Sequence, residues 1–185
     1  MPTEEELKYP IGKFIFVHPT PELRMEQIRQ FRTAPHLLYS AVKNLNEEQL
    51  LSSYRPGGWT LAQVVHHLTE SDVNAYPRLK YALTMNVPDV MVAEQGLWAE
   101  LSDAKSPSIS SSLALFEAVR YRWADAFESL NSSSFDRQWR HARYGLLSVD
   151  ALLQQYVWHA MHHIAQINSQ RKRRGWYDKK MFSSQ

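Results

Sequence analysis

The residues in this chain best suited to chemistry are its histidines: the pair His66-His67, and the cluster in Trp158-His159-Ala160-Met161-His162-His163. His159 and His163 stand four apart, so on a helix of 3.6 residues per turn they project from one face, one turn above the other. Such a pair can chelate a metal. A third imidazole from a neighbouring helix, with His67 as the candidate, completes a three-histidine site and leaves one tetrahedral position open for an activated water. His162 points about 100° away from His163 and is the poorer ligand of the adjacent pair. On its own HxxxH is a weak motif, lacking the glutamate of HExxH. Apolar flanks strengthen it here, Val64-Val65 and Leu68 around the first pair and Tyr156-Val157 before the second. A histidine beside a core stripe must be hydrogen-bonded or coordinated, because an unpaired buried polar group costs about 1 to 3 kcal/mol.

The rest of the composition narrows the chemistry. There is no cysteine, which excludes disulfides, thiolate ligands and a cysteine nucleophile, so a transition metal must be held by imidazole and oxygen donors. With 44% hydrophobic and 22% charged residues the chain reads as an ordinary globular protein, and its 185 residues suffice for a single domain over 1–185. No run approaches the roughly 18 to 20 apolar residues of a membrane span, and the acidic start Met-Pro-Thr-Glu-Glu-Glu is unlike a signal peptide. A cytoplasmic protein without a membrane partner is expected. A net charge of +2 gives no reason to expect nucleic acid, and the basic run Arg171-Lys172-Arg173-Arg174 before Gly175 suits a helix C-terminus.

Four amphipathic helices must position the histidines. The first starts at Thr20-Pro21 and carries Leu23, Ile28, Phe31, Leu38 and Val42, with Pro35 expected to kink it. Asn46-Glu47-Glu48-Gln49 reads as the capping box of a short helix, and Tyr54-Arg55-Pro56-Gly57-Gly58 as a loop. Thr60-Leu61-Ala62-Gln63 opens the second long helix, on which Gln63, His67, Glu70 and Asn74 share a face that could line a polar pocket. Pro77 is expected to kink this helix, and Glu70 and Asp72 read as solvated acids. Residues 86–109 form a long connection in which Glu94 and Trp98 could border a site. The third helix runs over about 110–130. A turn of helix at 131–136, an irregular hairpin at 139–147 with His141 exposed, and the histidine-bearing last helix from Ser148 follow. Residues 1–20 read as an extended arm whose Phe14-Ile15-Phe16-Val17 lies against the body. The architecture is therefore all-α, an up-down four-helix bundle with short extra helices and an extended N-terminal arm, the His67 helix beside the His159/His163 helix.

Several motifs in order, Tyr9-Pro10-Ile11-Gly12, Tyr54-Arg55-Pro56-Gly57-Gly58-Trp59-Thr60, Gln63-Val64-Val65-His66-His67-Leu68, Leu97-Trp98-Ala99-Glu100-Leu101 and Trp158 to His163, resemble the YfiT group of metal-dependent hydrolases within the DinB-like superfamily. The resemblance covers nearly the whole chain. It implies a cytoplasmic homodimer with one divalent ion per chain, zinc or nickel, held by His67, His159 and His163. Pro77 and the Phe14 to Val17 arm depart from the family pattern.

Three neutral imidazoles leave the ion's charge at +2, which brings a bound water towards pKa 7 and makes hydrolysis of a polarised bond in a small-molecule substrate the leading expectation. The residue that moves the proton is not named by any motif; Glu94, Glu70, His66 and His162 are the weak candidates. Two alternatives stand beside it. Other members of the superfamily resemble thiol S-transferases, for which this cysteine-free chain would need a low-molecular-weight thiol; or the bundle binds metal without catalysis. Trp59, Trp98, Trp158 and Tyr156 could furnish an aromatic pocket, although aromatics at helical spacing are usually core.

Overall fold

The computed structural model describes residues 2–176; Met1 and 177–185, the ends of the single domain read over 1–185, lie outside the described residues. In chain order the elements are α1 (Glu4–Lys8), α2 (Pro21–Val42), α3 (Glu47–Leu50), α4 (Leu61–Thr84), β1 (Asp89–Val90), α5 (Gln95–Trp98), α6 (Ser110–Glu128), a 3-10 turn (Ser132–Asp136), β2 (Gln138–His141), β3 (Gly145–Ser148) and α7 (Val149–Arg174). The helix starts are where the capping residues demand. Thr20 accepts the Leu23 N–H with Pro21 next to it, Thr60 and Gln63 form a reciprocal box on α4, and Ser148 accepts the Ala151 N–H of α7. Gly175 closes α7 in the left-handed conformation, φ 67°, and the Trp176 N–H returns to the Arg171 carbonyl. Both α2 and α4 continue through their prolines.

The long helices form a four-helix bundle in which α2 packs on α6 and α7, and α4 packs on the same two. The first two long helices, α2 and α4, thus face each other across a diagonal. The seam that matters is α4 against α7, as expected from the histidines. The core has two parts. Leu38, Val64, Leu68, Phe116, Ile164 and Ile167 belong to one, and Phe31, Leu79, Trp123, Phe127, Trp139 and Leu153 to the other.

Between them sits a buried ion pair that hydropathy did not reveal. Asp72, read above as a solvated acid, is fully buried on α4 and takes a two-pronged bond from Arg120 of α6, which also donates to the Tyr156 carbonyl at 3.0 Å. Arg120 lies 3.9 Å over the Phe31 ring. A single acid on an apolar face can be buried only if a partner on another helix meets it, and that partner is 48 residues away.

Three other expectations change. The arm is not wholly extended, because Thr3 and Glu6 form a capping box with Glu4 and Glu5 in the first turn, so α1 precedes the extended part. Of its apolar run, Phe14 packs on Trp158 at 5.9 Å, while Ile15, Phe16 and Val17 are exposed. The Val17 backbone is nonetheless fixed, exchanging two hydrogen bonds with the Gln154 side chain of α7. The 86–109 connection supplies β1, which pairs in parallel with β2 and extends the expected hairpin to three strands. His141 on β2 is buried, not exposed, and its Nδ1 accepts the N–H groups of Arg143 and Tyr144 across the turn. The basic run has structural work: Arg171 donates to the Ala41 and Lys43 carbonyls, and Arg173 to the Tyr54 carbonyl.

Candidate metal centre

His67 lies about two turns into α4, and His159 and His163 lie mid-way along α7, so the α4–α7 seam brings three imidazoles to one point. One ring nitrogen from each falls within 4.8 Å of the others. His67 Nε2 and His159 Nε2 are 3.1 Å apart. The rings stand steeply to each other, with interplanar angles of 79°, 74° and 87°. Trp59, at the foot of α4, lies against His67 at 4.7 Å and stacks towards His163, closing one side.

Burial keeps these rings neutral. It holds His67 down at about 4, and lowers His159 and His163 well below the usual imidazole range, with the neighbouring histidines adding to the effect. His163 Nδ1 donates to Gln166 Oε1 at 2.8 Å, which leaves its Nε2 as a lone-pair donor. Gln166 in turn donates from Nε2 to the Lys8 carbonyl and approaches His162 Nε2, tying the N-terminal arm to the site.

The donor set fits a divalent first-row transition metal. Three neutral imidazoles, no competing cation among them, and His159 Nδ1 buried without a hydrogen-bond partner among the described residues describe a group of ligands more readily than a self-satisfied polar core. Gln166→Ala is expected to weaken zinc binding about 10- to 100-fold, because the tautomer and orientation of His163 are then unfixed. Competitive chelator titration measures this.

The depressed histidines also set the acid stability of the metal-free chain. A histidine whose folded pKa lies below its unfolded value of about 6.5 contributes stability that is complete above 6.5 and is lost as pH falls through the window. His67 and His162, both held near 4, each withdraw stability as pH falls from 6.5 towards 4. His141, His159 and His163 add in the same direction. Unfolding of the chelated protein should therefore take up two or more protons near pH 5, and a melting temperature unchanged from pH 7.5 to 5 would contradict this.

The candidates for proton transfer separate clearly. His66 is turned away from the cluster, with Nδ1 on the Ser112 hydroxyl and Nε2 on the Ser106 carbonyl, so both nitrogens are engaged structurally. His162 is buried against Trp158 and Tyr9 on the arm side. Glu70 is raised by burial and by Asp103, and it lines another cavity with Asn74 and Trp98. Gln63 is occupied by its capping box and by the Ala99 carbonyl, so the expected polar face is not one pocket. Glu94 alone of the four shares a cavity with His159. That cavity, of about 530 Å³, is lined by residues of α4, α7 and the β2–β3 turn, with Tyr156, Arg78 and His141 in its wall. No sequence motif marks Arg78 or His141 for this role; the tertiary placement of the hairpin decides it.

A helical bundle with a three-imidazole centre and an adjoining cavity of small-molecule size defines the class. Residues 30–167 match the model of the DinB superfamily, and the chain belongs to that family. A Bacillus licheniformis protein named "Putative metal-dependent hydrolase" is 43% identical over 174 residues, covering 93% of this chain and 99% of its own length. One of the same name from Geobacillus thermodenitrificans is 40% identical over 184 residues, covering 95% and 100%. Among solved structures, YfiT from Bacillus subtilis, described as a probable metal-dependent hydrolase with an unusual four-helix bundle topology, superimposes with a TM-score of 0.90 at 36% identity, covering 93% and 99%. Among the described residues no helix is long and apolar enough to cross a membrane.

Proposed function

We propose that this protein is a metal-dependent hydrolase of small molecules, with one divalent ion, zinc or nickel, held by His67, His159 and His163. The observation that carries the reading is the convergence of three neutral imidazoles, one of which, His159, lines a cavity. When bound, such an ion supplies Lewis acidity and lowers the pKa of water near it. The protein's own groups do the rest. Gln166 keeps His163 in the tautomer that presents Nε2, and Trp59 shields His67 and His163 from solvent. Glu94, exposed at the rim of the cavity, takes the proton from the attacking water and returns it to the leaving group.

Metal content by mass spectrometry on untagged protein, followed by a screen of amide and ester substrates with and without an added small thiol, tests this. Near-stoichiometric metal and thiol-independent hydrolysis support it. Conjugation that appears only with the thiol replaces it by the S-transferase reading, and metal without either activity by a binding role. On a hydrolysed substrate, Glu94→Gln is expected to lower kcat about 100- to 10,000-fold with metal content unchanged. Unaltered kcat would remove Glu94 from the mechanism.

A further inference from the structure

Three arginines are buried or nearly so along α2, α4 and α6, and two of them are neutralised. Arg24 is clamped by Asp150 through two bonds, and Arg120 by Asp72. Arg78 is 8% exposed and has no carboxylate partner among the described residues. Its Nη2 donates to the neutral Asn74 side chain at 2.6 Å, its Nε has no partner among the described residues, and its guanidinium lies 5.5 Å from the Trp139 ring. A charge taken out of water and left without a counter-charge is costly. The arrangement makes sense if the counter-charge comes with a ligand.

The surroundings agree. Arg78 is eleven residues beyond His67 on α4, which is close to three full turns, so both project towards the same side of the helix, about 16 Å apart along its axis. The cavity at His159 has Arg78 in its wall together with Arg143 and His141, and Glu94 as its one acid. His141 is held below the usual imidazole range by burial first, then by Arg78 and Arg143, a sign of the positive potential there. A guanidinium fork is the side chain best matched to a carboxylate or phosphate.

We propose that the molecule handled at this centre carries a carboxylate or phosphate group, which Arg78, assisted by Arg143, binds in the cavity that His159 borders. The placement of the reacting bond at His159 rests on the hydrolase reading above; the anion site does not need it. The test is calorimetric titration of the full chain with succinate, inorganic phosphate and the uncharged analogue succinamide. Chelated protein is used so that no bound ion can hold the anion in place of Arg78, and zinc stoichiometry is measured separately. Succinate or phosphate should bind at least about tenfold more tightly than succinamide, and Arg78→Gln should weaken the anion about 10- to 100-fold. The tighter of the two anions identifies the group. Arg143→Gln should cause a smaller loss, and this variant, with the succinamide comparison on the unmodified chain, decides the matter if Arg78→Gln does not fold. Equal binding of succinate and succinamide, no binding of either anion, or anion affinity untouched in Arg78→Gln overturns the proposal while leaving a zinc-binding chain intact. Arg78-dependent anion binding in a chain that takes up no zinc keeps the anion site and removes the metal-dependent reading.

Discussion

His67→Ala and His163→Ala are each expected to purify with about a tenth or less of the metal held by the unmodified chain, and to stay empty at zinc concentrations that fill it. Four-ligand zinc sites have apparent binding free energies of roughly 10 to 16 kcal/mol, so one ligand is worth on the order of 3 kcal/mol, or about 100-fold in affinity. Losing either imidazole leaves two. His66→Ala is the informative control: it stands next to His67 in sequence yet points to Ser106 and Ser112, so metal content should persist while stability falls. Retention of stoichiometric metal by both His67→Ala and His163→Ala would dismiss the three-histidine centre.

The second large effect is on folding. Asp72→Ala strands Arg120 at 0% exposure between Phe31 and Phe116, and breaking a buried pair in this way costs about 3 to 5 kcal/mol. For a chain of this size that lowers the melting temperature on the order of 10 °C. Burial pushes the Asp72 carboxyl up to about 6 against the opposing pull of Arg120, so the measurement belongs at pH 7.5, where it is ionised. The double variant Asp72→Leu with Arg120→Met should recover most of the loss, since two apolar side chains have no charge left to satisfy. A double variant as unstable as the single one would mean that the bond from Arg120 to the Tyr156 carbonyl, and not the ion pair, holds the junction of the three helices.

What the sequence determined by itself was local. Spacing of apolar residues, the boxes at Asn46 and Thr60, Thr20-Pro21, and Gly175 fixed the helices and their ends, because caps and periodicity act within one or two turns. The four-apart geometry of His159 and His163 is likewise a property of one helix. That His67 meets them depends on α4 lying against α7, a matter of which faces pack; the motif resemblance pointed to it, and the folded chain shows the three nitrogens together. Sequence alone left Asp72, Arg120, Arg78 and His141 unread or misread. Each owes its state to a group dozens of residues away or, at the turn, to backbone N–H groups whose direction only the hairpin sets. Hydropathy scores a residue by its own side chain, whereas the burial of a charge is decided by whether tertiary structure delivers its partner. For Asp72 it delivers Arg120; for Arg78 it delivers a cavity.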